Sequence, residues 1–64
     1  MLSYKVQYVP VGKHSVTVTY RCNQPLDPGK WIDVDGVYLI VERIVPPKPG
    51  DPHDGIALCK PALG

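Results

Sequence analysis

Eight prolines and six glycines spread through 64 residues leave this chain little room for anything but short extended segments. Proline donates no backbone hydrogen bond and glycine resists ordering, so together they interrupt any long helix. The residues between them suit strands: nine valines and four isoleucines stand against two alanines and one methionine. β-branched side chains fit a pleated, half-buried surface. At 44% apolar and 20% charged residues, the composition is that of a folded domain, not a disordered tail. A chain this short makes one domain, and buries only about 60% of its unfolded surface.

Five apolar stretches emerge between the breaks. Leu2 to Val9 alternates, with Leu2, Tyr4, Val6 and Tyr8 on one face and Ser3, Lys5 and Gln7 on the other. Ser15 to Cys22 alternates again, with Val16, Val18, Tyr20 and Cys22 opposite Ser15, Thr17, Thr19 and Arg21. Period two over such lengths is the mark of a strand with one buried face. The proline-containing break at Asn23–Gly29 holds Leu26, expected as a plug beneath the loop.

Lys30–Val34 and Val37–Val45 flank Asp35-Gly36, a leading hairpin signature because both central residues of a type I′ turn need positive φ. A two-residue loop sets Ile32 opposite Leu39 and Trp31 opposite Ile40. A three-residue loop with Gly36 in a bulge sets Ile32 opposite Tyr38 and Trp31 opposite Leu39. One step of register changes which aromatics are buried, and Trp31 and Tyr38 are expected to be alternatives for the solvent face. Val37–Val41 is apolar on both faces, which predicts a strand that bends between sheets or is covered on both sides. It is the expected central element. Pro46 to Gly55 carries four prolines and predicts a stiff irregular loop. Gly55–Lys60 is a short last strand ended by Pro61, with a tail over 62–64. The expected fold is all-β: a small five-stranded SH3-like barrel or a tightly curled antiparallel sheet over residues 1–64, closing to protect its edges.

The segment Gly29-Lys30-Trp31-Ile32-Asp33-Val34-Asp35-Gly36-Val37-Tyr38-Leu39-Ile40-Val41 resembles the central hairpin of SH3-like small β-barrels. It has glycine, strand, tight turn, and a strand carrying Tyr before aliphatics. Similar stretches occur in small proteins of bacteriophages and mobile elements. The resemblance covers about a quarter of the chain, carries over no site residue, and implies a binding module before an enzyme.

The formal charge of +1 gives no whole-molecule attraction to nucleic acid or to an anionic membrane. No apolar run reaches the ~20 residues of a membrane span. The amino terminus lacks the charged and apolar regions of a secretory signal, so a complete cytoplasmic protein is expected, with Cys22 and Cys59 as reduced thiols.

His14, Cys22, His53 and Cys59 are zinc-ligand types, but their spacing matches no ligand pattern, and no metal or other cofactor is expected. Asp51-Pro52-His53-Asp54-Gly55 gathers carboxylates and an imidazole. Catalysis there would need a nucleophile nearby and a pocket, and turn chemistry explains the residues as well. Asp35 belongs to the hairpin turn and Asp33 to its solvent side.

Tyr4, Tyr8, Tyr20, Trp31 and Tyr38 are many aromatics for so small a core, and exposed Trp and Tyr anchor protein interfaces. The expected function is a non-enzymatic protein-interaction module of adaptor, inhibitor or virion-assembly type, with another protein or a second copy as partner. It would bind through Trp31, Tyr38, Ile40 and Tyr20, or through an open sheet edge. The alternative is a small nucleic-acid-binding barrel. It would need folding to gather scattered cations, for instance Lys5, Arg21 and Lys60, into a stripe.

Overall fold

The computed structural model describes residues 1–62; the expected tail lies, past Ala62, outside the described residues. Five strands form: β1 (Leu2–Tyr8), β2 (Val16–Cys22), β3 (Trp31–Val34), β4 (Val37–Val45) and β5 (Gly55–Pro61). Each lies within one residue of the stretch predicted from the sequence, and among the described residues there is no helix. The all-β class is therefore as expected.

The strands make one sheet in the order β2-β1-β5-β4-β3, curled into a half-barrel. β1–β2, β3–β4 and β4–β5 are antiparallel, but β1 and β5 run parallel, so the sheet is mixed. Parallel pairing is possible because the intervening three strands and their loops supply a long crossover. The central strand is β5, not β4. The outer face of β4 is uncovered, and its apolar run reflects two different environments. Leu39 and Val41 are buried inward, while Tyr38 points outward into solvent. A bulge between Val41 and Arg43 bends this strand.

The core lies on the concave face. Tyr4 and Val6 from β1, Ile32 and Val34 from β3, Leu39 and Val41 from β4, and Ala57 and Cys59 from β5 are buried there. β5 turns small groups inward, Gly55, Ala57 and Cys59, which lets the larger side chains of β1 and β4 close over it. Gly55 has no spare room: a Cβ built on it would lie 3.1 Å from the Tyr4 ring. Leu26, in the loop between β2 and β3, is buried against the core, as the sequence suggests, and its backbone N–H donates to the Tyr4 hydroxyl at 3.2 Å.

β2 adds no fully buried residue. Val16, Val18, Tyr20 and Cys22 face inward yet stay half-buried, because β2 is an edge.

Candidate functional site

The hairpin has the two-residue loop. Asp35 and Gly36 have φ of 51° and 80°, the left-handed pair a type I′ turn requires. The Gly36 N–H also donates to Asp33 Oδ1 at 3.0 Å, which ties the turn to the strand before it. The pairs are Trp31 with Ile40, Ile32 with Leu39, Asp33 with Tyr38 and Val34 with Val37.

This register corrects one expectation: Trp31 and Tyr38 are not alternatives. Both belong to the outward set with Asp33 and Ile40, because side chains alternate along each strand and directly paired residues share a face. Trp31 is 58% exposed and Tyr38 54%. Ile40, half-buried, sits opposite Trp31 on one side and Lys60 on the other. The outer face of the hairpin thus presents an aromatic and aliphatic patch with one flanking cation.

Tyr20 lies elsewhere. It pairs with Tyr4, faces the concave side, and packs against the core at the opposite edge of the sheet. Lys5, Arg21 and Lys60 do share the outer face, but not one spot. Lys5 is paired with Ile56 on β5, and Lys60 lies four residues further along, roughly 13 Å away at ~3.3 Å per residue. Lys60 flanks the Trp31 patch; Lys5 and Arg21 sit at the other end, beside the proline-rich loop.

That loop is clamped onto β1 and β2. The Ser3 N–H donates to Asp54 Oδ2 at 2.8 Å and the Asp54 N–H to the Ser3 carbonyl at 2.7 Å. Asp51 Oδ1 accepts from the His53 backbone N–H at 2.9 Å and contacts His53 Nδ1 at 2.7 Å. His53 Nε2 lies 3.2 Å from Thr19 Oγ1. The His53 backbone hydrogen bond first, then the side-chain bond and the nearby charges of His53 and Lys5, hold the Asp51 carboxyl below its ordinary value. Sequence reading found the Asp and His but not Thr19, which is distant in the chain. Connectivity of this kind can serve a nucleophile, yet Thr19 stands mid-strand on the outer face and lines neither cleft described below. Here it latches the loop to the sheet.

Two shallow clefts flank the sheet. One, of about 360 Å³, opens at the mouth of the half-barrel between Tyr8, Pro10, Val11, Val16, Val37 and Pro61. The other, about 400 Å³, lies between Leu2, Ser3, Arg21 and Pro52. Neither was foreseen, because each joins residues from distant elements.

His14, Cys22, His53 and Cys59 are not drawn together: among the described residues no three His, Cys, Asp or Glu side chains cluster as metal ligands. Both cysteines are free thiols. Burial, and secondarily the Glu42 carboxylate, push the Cys59 thiol up to about 11, so it behaves as a core side chain. Among the described residues no helix is long and apolar enough to cross a membrane.

The molecule is thus a small all-β half-barrel, compatible at a coarse level with the SH3-like barrels. No protein family, curated protein or solved structure matches the chain.

Proposed function

We propose that this protein is a non-enzymatic protein-interaction module, of adaptor, inhibitor or virion-assembly type, that binds through the outer face of the β3–β4 hairpin. The observation that carries this reading is the joint exposure of Trp31 and Tyr38, with Ile40 between them. Large aromatics gain most from burial and lose few rotamers in doing so, which is why they dominate interface energetics. An SH3-like kinship with small phage or mobile-element proteins, and a reducing cytoplasmic setting for two unbridged thiols, belong to the same reading.

The test is affinity capture from the source organism with the parent chain and with Trp31→Ala/Tyr38→Ala. Both side chains lie on the surface, so the double variant is expected to keep its strand circular dichroism while losing partner capture. A partner retained at full yield would remove the patch from consideration.

A nucleic-acid reading draws support from the common outer face of Lys5, Arg21 and Lys60. The split between the two ends of that face, and the Asp51 carboxylate beside Lys5, weigh against a continuous phosphate track. Trp31 is the only tryptophan. Quenching of its fluorescence by oligonucleotides, abolished by salt, would favour this alternative.

A further inference from the structure

We propose that the free edge of β2 pairs antiparallel with β2 of a second copy, on a two-fold axis through Thr19, and joins two half-barrels into one continuous sheet. The proposal rests on the interaction-module reading but uses the sheet edge, not the Trp31 face.

Four observations converge. First, β2 pairs only with β1, and among the described residues none of its backbone groups bonds elsewhere, so every second residue offers an open N–H and C=O along one side. Second, β2 lacks most of the usual protections of an edge, and the loop latched at Thr19 holds its outer-face hydroxyl and not its backbone. β2 has seven residues, no proline, no bulge and a single charge, Arg21, whereas the opposite edge, β3, is only four residues long. Third, its inward side chains, Val16, Val18, Tyr20 and Cys22, are all only half-buried, so an added strand would cover apolar surface that the monomer leaves wet.

Fourth, β2 is complementary to itself in that register. Thr19 opposes Thr19 of the second copy, Thr17 opposes Arg21, Val18 opposes Tyr20 and Val16 opposes Cys22. Threonine pairs and aromatic–β-branched pairs are favourable cross-strand neighbours. The two arginines are held apart at opposite ends, whereas parallel pairing in register would set them side by side. Tyr20, expected from the sequence to bind a partner, acquires that role at this edge and not in the hairpin patch. A two-fold contact closes on itself, so the product is a dimer and not a fibre.

Sedimentation velocity over a concentration series tests this in the intact chain. The parent is expected to shift from monomer to dimer as concentration rises, with β2 amides gaining protection from hydrogen exchange in parallel. Thr17→Glu places a carboxylate opposite Arg21 of the second copy twice per dimer and should tighten the dimer. Thr17→Lys should weaken it by about tenfold or more. Opposite signs from one position exclude a simple loss of strand propensity, and circular dichroism checks that each variant folds. Trp31→Ala/Tyr38→Ala should dimerise like the parent even where it loses another partner, which separates this edge from the hairpin face. A parent that stays monomeric at millimolar concentration, a growing polymer, or a dimer shifted the same way by both Thr17 variants would overturn the proposal.

Discussion

Tyr4 shows how a single side chain joins distant parts of this protein. Its ring lies in the core against Gly55, and its hydroxyl accepts from the backbone N–H of Leu26 in the loop between β2 and β3. Alternation along β1 places Tyr4 on the buried face, but nothing local tells the hydroxyl where to find a donor. Tyr4→Phe keeps the ring and strands a buried N–H, which costs about 1–3 kcal/mol. Urea denaturation is expected to show a lowered midpoint with an unchanged slope. Tyr20, by contrast, alternates just as clearly and has the same inward orientation, yet stays half-buried because its strand has no outer neighbour.

At the scale of elements, β1 and β2 were legible from period two because each has one apolar face, and that pattern is written locally. The hairpin register was not, since Asp-Gly serves both a two-residue turn and a bulged one. The positive φ at Asp35 as well as Gly36, and the Asp33 carboxylate on the Gly36 N–H, select the shorter loop. β5 depends on a feature that alternation hides: its inward positions must be small. Gly55→Ala sets a methyl 3.1 Å from a ring whose hydroxyl is already anchored, so the ring cannot swing away freely. Overpacking of this kind costs about 1–3 kcal/mol. A lower thermal midpoint is expected, relieved in part when Tyr4→Phe frees the ring.

The whole molecule adds a pH dependence through the loop clamp. Asp51 is held below its ordinary value of 3.8 by the His53 bonds, so the unfolded chain binds this proton more readily than the folded one. The resulting stabilisation is fully present above the ordinary carboxylate range and is lost as pH falls through the lowered value. Asp51→Asn cannot be protonated in this way. Its melting temperature should lie below that of the parent at neutral pH, and the gap should narrow in acid as both chains are melted from pH 7 down to pH 3.

Local composition was enough to establish an all-β chain, five strands, the inward faces of β1 and β2, and Leu26 as a plug, because backbone preference and side-chain alternation act over a few residues. Beyond the β3–β4 hairpin, the neighbours of each strand came only from the folded chain. Parallel pairing of β1 with β5, a central β5, and the exposure of β4 depend on which surfaces are left to bury once the sheet curls. The same holds for the functional surfaces. Trp31 and Tyr38 were recognisable as candidates, but their union on one face required the register. The open β2 edge required the strand order, since a strand does not encode whether anything lies beside it.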